Sequence, residues 1–220
     1  MNVLVVAAHP DDELLGAGGT VAAHTAKGDH VKLAVMCEGI TVRYEQEWDS
    51  EVRRQAKAAA KILGTDDLYM GNLPDQRLDT IPLSEVAKKV EELVEEVKPE
   101  IIYTHFAGDM NRDHQVLAEA VMVAARPYSA PGVKEILMFE TPSSTEWSSP
   151  VVTAPFQANV FVDIEKFLQK KIDAFSCYTR EVREYPHPRS PQALAERARY
   201  WGSTMNRMAA EAFVMVRAIR

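Results

Sequence analysis

Apolar and polar positions fall in blocks along this chain, and the length of each block separates strands from helices. Val3-Leu4-Val5-Val6 is a short, uninterrupted apolar run rich in β-branched side chains, which predicts a strand buried on both faces. Pro10 stops it, because proline cannot donate to a ladder. The pattern then changes to a helix over Leu14 to Ala26, closed by Lys27-Gly28. A second strand is expected from Val31 to Met36, with Cys37 at its end, then a loop at Glu38-Gly39-Ile40-Thr41-Val42-Arg43. A charged helix follows from about Trp48 to Leu63, opened by Asp49 or Ser50 and capped by Gly64. Asp67-Leu68-Tyr69-Met70 reads as a short strand and Asn72-Leu73-Pro74-Asp75 as a turn. The clearest amphipathic helix runs from Pro82 to Val97, where Leu83, Val86, Ala87, Val90, Leu93, Val94 and Val97 recur at three- and four-residue spacing. Glu100 to Thr104 is another β-branched strand, and Gln115 to Ala125 another helix.

The polar residues that interrupt this pattern gather where strands give way to helices. His9, Asp11, Asp12 and Glu13 sit in the first such turn, at the carboxyl end of a buried strand, where open α/β sheets place their ligands. First-turn acids complementing a helix dipole account for the carboxylates, at roughly 0.3–1 kcal/mol each. They do not account for the histidine. His9 and Asp12 can converge on one cation, and a zinc-like ion accepts that mixture of nitrogen and oxygen but needs a third protein ligand. The stretch from His105 to His114 provides it: a second strand-to-helix turn carrying Asp109, Asn111, Asp113 and two histidines, with His114 placed to complete the set. Asp113, Asn111 or Asp109 can orient a ligand or a base from behind. Asp113 is therefore read as a catalytic residue and Asp109 as a substrate contact. With right-handed crossovers the two turns lie side by side.

Composition narrows the class. A net charge of -7 argues against a general nucleic-acid binder. No apolar run approaches the ~18 residues of a membrane span, and no leader pattern precedes the first strand. A cytoplasmic protein of one domain over residues 1–220 is expected. Two cysteines make no disulfide framework, and Cys37 reads as a buried small hydrophobe. His24 and His30 lack an evident acidic companion and read as rim histidines. Gly16-Ala17-Gly18-Gly19 has the wrong spacing for a dinucleotide site, so close backbone packing is the better reading. Arg53, Arg54, Lys57 and Lys61 form a basic stripe, usually a solvated face. An arginine near its start, Arg53, can instead reach the site and bind a polar substrate group. Trp147, Tyr128 and Phe156 are candidates for a sugar-stacking rim, with core packing an equal alternative.

Taken together, His-Pro-Asp-Asp-Glu after a buried first strand and Asp113-His114 opening a later helix resemble the LmbE/PIG-L family of zinc-dependent N-acetylglucosamine-type deacetylases. Phe139-Glu140-Thr141-Pro142, Asn159 to Ile164 with Lys170 to Phe175, and Ala209-Ala210-Glu211-Ala212-Phe213 resemble later family segments in the right order. The resemblance implies zinc held by His9, Asp12 and His114, with Asp11 as the general base activating a zinc-bound water. It also maps an oxyanion-stabilising histidine onto His187. Many members carry a histidine where this chain has Asn111. The implied substrate is a small N-acetylated sugar, in a possible trimer or hexamer. A metal-dependent amidase on a non-sugar substrate, or a non-catalytic metal-binding protein of the same fold, are the rival readings. The expected architecture is a Rossmann-like three-layer α/β/α sandwich with a mostly parallel sheet, and Ser143 to Pro155 forms a lid or an oligomer contact.

Overall fold

A computed structural model describes residues 1–38 and 49–220. The expected loop at residues 39–43, Trp48 and the Asp49 side chain lie outside them. The strands are β1 (Asn2–Ala7), β2 (His30–Cys37), β3 (Leu68–Leu73), β4 (Ile101–His105), β5 (Glu135–Phe139), β6 (Val160–Asp163) and β7 (Ala210–Ala218). The helices are α1 (Asp12–Ala26), α2 (Asp49–Leu63), α3 (Leu83–Val97), α4 (Arg112–Ala124), α5 (Leu168–Phe175) and α6 (Pro191–Thr204). All seven strands share one sheet in the order β3-β2-β1-β4-β5-β7-β6, and β7 runs opposite to the other six.

The alternation of side chains along β1 produces the layers. Val3, Val5 and Ala7 face α1, α2 and α5, whereas Leu4, Val6 and Ala8 face α3 and α4. The chain winds outward from β1 to β3, then crosses back to β4 on the other side of β1. That reversal opens a crevice at the carboxyl ends of β1 and β4. The three-layer, mostly parallel α/β expectation is met. Among the described residues no helix is long and apolar enough to cross a membrane.

Several boundaries differ from the sequence reading, each for a physical reason. Helix α4 starts at Arg112, not Gln115, because the Asn111 side chain caps it by accepting the Asp113 amide (2.9 Å). Asn72 and Leu73 continue β3 instead of turning. Gly71 allows this, since a Cβ there would lie 2.2 Å from the Met36 carbonyl oxygen. The glycines of α1 do serve close packing: a Cβ on Gly16 would meet the Phe139 ring at 2.1 Å. His24 and His30 are not without acids. The turn after α1 folds Asp29 back to within 2.7 Å of His24 Nδ1, and Asp67 lies 3.0 Å from His30 Nε2.

A buried ion pair ties the last strand to this frame. Lys171 Nζ on α5 donates to Glu211 Oε1 on β7 (2.5 Å) and to the Leu15 carbonyl (2.8 Å). Glu211 also accepts the amides of Gly19 and Thr20 in α1, at 2.9 and 2.6 Å.

Candidate metal centre and active site

The two polar turns meet because β1 and β4 are neighbours. The amide of Ala8, just past β1, donates to Nε2 of His105, the last residue of β4 (2.9 Å). His9 and Asp12 come from the first turn and His114 from the start of α4. Their donor atoms form a nearly equilateral triangle: His9 Nδ1 to Asp12 Oδ2 is 3.0 Å, His114 Nε2 to Asp12 Oδ2 3.1 Å, and His114 Nε2 to His9 Nδ1 3.2 Å. An ion held tetrahedrally at about 2.0–2.1 Å sets such atoms roughly 3.3–3.4 Å apart. The triangle therefore fits one face of a zinc-like coordination shell.

The local field agrees with that geometry. Burial works against a charged His9, yet the Asp113 and Asp12 carboxylates raise its pKa to about 10. Burial likewise opposes charge on His114, and Asp12 and Asp109 raise it. Asp12, despite its own burial, is held well below the usual carboxylate range by His114, His9 and His105. Two adjacent imidazoles drawn toward positive charge make a surrounding suited to a cation between them.

Each of these imidazoles has a carboxylate behind it. His9 Nε2 lies 3.0 Å from Asp113 Oδ2, and Asp113 Oδ1 accepts the Leu78 amide (2.9 Å). His114 Nδ1 lies 3.1 Å from Asp109 Oδ1, off the line of a hydrogen bond. Asp109 is gripped in turn by the hydroxyls of Ser144 and Thr145. Such carboxylate–histidine pairs fix ring tautomer and orientation. Two expectations change accordingly. Asp113, read as a catalytic residue, stands behind His9, and Asp109, read as a substrate contact, has no exposed surface. Asp109→Asn should keep the fold and weaken metal binding about 10- to 100-fold. Competition with a chromogenic chelator measures this, and an unchanged affinity would remove Asp109 from the metal centre.

Asp11 stands apart from the triangle, at the N-cap of α1, with a left-handed backbone (φ 107°). For a residue with a Cβ that conformation costs of order 1–3 kcal/mol and persists only where neighbours enforce it. Glu13 does so: Oε2 accepts the Asp11 amide (3.1 Å) while Oε1 accepts the Tyr178 hydroxyl (2.8 Å). Glu13 is thus a buried brace, not a solvated first-turn acid. Burial, against the Tyr178 hydrogen bond, pushes its pKa up to about 7. The Asp11 carboxylate meets Arg189, whose Nη1 is 2.9 Å from Asp11 Oδ2 and 2.9 Å from Glu181 Oε2. Arg189 Nε also donates to Ser143 Oγ (2.7 Å). Burial raises the Asp11 pKa well above the usual range and Arg189 opposes it, so desolvation and a cation compete over one carboxyl group beside the triangle.

One cavity of about 550 Å³ takes in His9, Asp11, Asp12, His114 and His187. His187 Nδ1 accepts the Arg189 amide (3.1 Å). Burial, Arg183 and Arg189 lower its pKa, so the ring is neutral with its hydrogen on Nε2. It is a neutral donor, not the protonated imidazole that an oxyanion role first suggests. Ser143, Ser144 and Trp147 form part of the cavity wall, which is where the Pro-rich segment beginning at Ser143 leads. Arg53 does not line the cavity. It points to the Met70 carbonyl (3.4 Å), while Val52 and Gln55 of the same helix face inward. Phe156 packs edge-on against Phe106 (ring centroids 5.2 Å apart), and Tyr128 is 98% exposed outside the cavity. His105, whose role the sequence leaves open, stacks on His114 with centroids 3.8 Å apart. Burial and His114 push its pKa well down, so it is a neutral platform beneath that ring.

The sequence pattern of PIG-L, described as GlcNAc-PI de-N-acetylase, matches residues 4–125, which contain the whole triangle. The chain belongs to the PIG-L family. An uncharacterized deacetylase of Escherichia coli, YaiS, is 30% identical over 79% of this chain and 88% of its own length. A probable N-acetyl-alpha-D-glucosaminyl L-malate deacetylase 2 of Bacillus cereus is 32% identical over 56% of this chain and 60% of its own. The 4-oxalmesaconate hydratase of Pseudomonas putida is similar as well, at 28% identity over 80% of this chain and 72% of its own. The crystal structure of the conserved protein TT1542 from Thermus thermophilus shares the fold, with a TM-score of 0.82 and 24% identity over 100% of this chain and 96% of that one. Within this PIG-L chain, His9, Asp11, Asp12, Asp109, Asp113 and His114 fall inside the matched residues. Ser143, Trp147, Tyr178, His187 and Arg189 lie beyond residue 125. Arg189 and Tyr178 escape sequence reasoning because the residues they hold in the first turn, Asp11 and Glu13, are more than 160 residues away. The one local hint is that Arg189 follows His187 by two residues in the same Pro-flanked stretch.

Proposed function

We propose that this PIG-L protein is a zinc-dependent N-deacetylase that hydrolyses the acetamide of an amino sugar or of a small molecule containing N-acetylglucosamine. The observation that carries the reading is the His9–Asp12–His114 triangle with the Asp11 carboxylate beside it in one cavity. His9, Asp12 and His114 would hold the metal, which supplies an acidified water and a pull on the acyl oxygen. Asp11 takes one proton from the attacking water as its oxygen bonds to the carbonyl carbon. It returns that proton to the nitrogen as the carbon–nitrogen bond breaks, leaving the amine and acetic acid, which carries the water's second proton and ionises to acetate. The Nε2–H of His187 donates to the developing oxyanion, and Arg189 and Glu13 hold Asp11 in place. Trp147 offers an apolar face to a sugar ring. The PIG-L match and the Bacillus relative support the choice of an acetylated sugar; cytoplasmic residence and a homo-oligomer belong to the same proposal.

The test is metal analysis of protein purified without chelator, beside Asp12→Ala, followed by an acetate-release assay on N-acetylglucosamine conjugates. About one zinc per chain, lost in the variant, together with released acetate, is the expected result. A different resident divalent ion would change the metal assignment. No metal uptake, or hydration of an activated alkene without acetate release, would overturn the deacetylase.

A further inference from the structure

The imidazole of His9 is approached on both of its nitrogens. Its Nδ1 belongs to the triangle, but Nε2 faces a second group of ligating side chains: Asp113 Oδ2 at 3.0 Å and Asp75 Oδ1 at 3.3 Å. Cys37 Sγ lies 4.0 Å from that same Asp113 oxygen. His9, Cys37 and Asp113 each bring one donor atom within 4.8 Å of the others. A single Nε2–H can serve one carboxylate, so the two around it exceed what one proton satisfies, while Cys37 donates its own proton to Asp113 and the Gln76 side-chain nitrogen lies 3.2 Å from the same Nε2. Asp75 shows the excess. The residue is 4% exposed, its carboxylate is turned to His9, and its Oδ2 is buried without a hydrogen-bond partner among the described residues. Asp75 and His9 both line the cavity, which gives an ion a way in.

We propose that His9 Nε2, Asp113 and Cys37 form a second divalent-cation site, with the Asp75 carboxylate beside it to add charge, filled by a thiophilic borderline ion such as zinc or cobalt when that ion is in excess. Binding replaces the proton between His9 and Asp113 and the proton on Cys37, so two protons leave for each ion that enters. With the triangle also loaded, the His9 ring bridges two cations through its two nitrogens. The carboxylate that orients His9 is then drawn into coordination, and excess metal inhibits the enzyme. The inhibition rests on the deacetylase reading; the site itself does not.

The experiment is a cobalt titration of chelator-stripped protein followed by absorption. The first equivalent should give only the weak visible bands of nitrogen and oxygen ligands, and the second an intense near-ultraviolet sulfur-to-cobalt charge-transfer band. Cys37→Ser should keep the first equivalent and abolish that band. Asp75→Asn should keep the band and weaken the second equivalent at least tenfold. Asp12→Ala should lose the first site and still develop the band, which separates this proposal from the metal assignment of the triangle. Cys177→Ser should change nothing. Binding that stops at one cobalt per chain, saturation without a charge-transfer band, or a band that survives Cys37→Ser would each overturn the second site.

Discussion

Asp11→Asn should retain its metal and lose about 10³-fold in kcat, within the range by which a positioned acid–base group accelerates proton transfer. Asparagine has nearly the shape of aspartate, and its side-chain oxygen can still accept the Arg189 hydrogen bond that Asp11 Oδ2 takes at 2.9 Å. The backbone brace from Glu13 is untouched, because it bonds the Asp11 amide and not its side chain. What disappears is the proposed capacity to accept a proton from water and return it to nitrogen. Substrate binding should therefore change little, and the loss should fall on kcat with KM nearly constant. Single-turnover acetate release with metal analysis of the same sample checks both halves. A variant that sheds its metal would make Asp11 a ligand, and one that turns over normally would end its role as base.

The largest effect on stability is expected away from the cavity, at Lys171→Met. Lys171 and Glu211 are 5% and 4% exposed, and Lys171 is the cation that faces the Glu211 carboxylate between α1, α5 and β7. Removing one partner of a buried pair leaves an uncompensated charge and costs about 3–5 kcal/mol. The Gly19 and Thr20 amides that also bond Glu211 soften that penalty without cancelling it. Urea unfolding should show the loss, and Lys171→Met combined with Glu211→Leu should recover part of it. A cost below about 1 kcal/mol for the single change would mean that solvent reaches the pair.

The fold was legible where one element carries its own signal. The four-residue apolar run of β1, the seven apolar positions of α3 and the acidic turn after β1 depend on nothing distant. The meeting of His9, Asp12 and His114 was legible too, because strand-to-helix turns at the ends of neighbouring parallel strands meet by topology. Roles that depend on which way a ring or carboxylate turns were not. Asp109 and Asp113 lie within five residues of each other and of His114, yet each backs a different imidazole, and spacing cannot tell which. Arg53 was placed at the cavity because it is a cation on the right helix. A rotation of one residue along α2 directs Val52 inward and Arg53 to β3. His24 shows the opposite failure, since its acid lies only five residues ahead, across a turn that periodicity does not reveal.

The division of the cavity at residue 125 bears on how such a protein diversifies. Its floor, where a proton and an ion would be handled, comes from turns inside the matched segment. Part of its wall, Ser143, Trp147, His187 and Arg189, lies on connections outside that segment, and another part, Val52, Gln55 and Gln76 among it, lies within it. Loops supported by a rigid sheet tolerate insertion and replacement far better than the strands beneath them. Exchanging residues 140–159 and 176–190 for those of another member, with β6 and α5 left in place, would then be a graft of selectivity onto an intact floor, with Arg189 and Tyr178 retained as the two points where the graft must still grip Asp11 and its Glu13 brace.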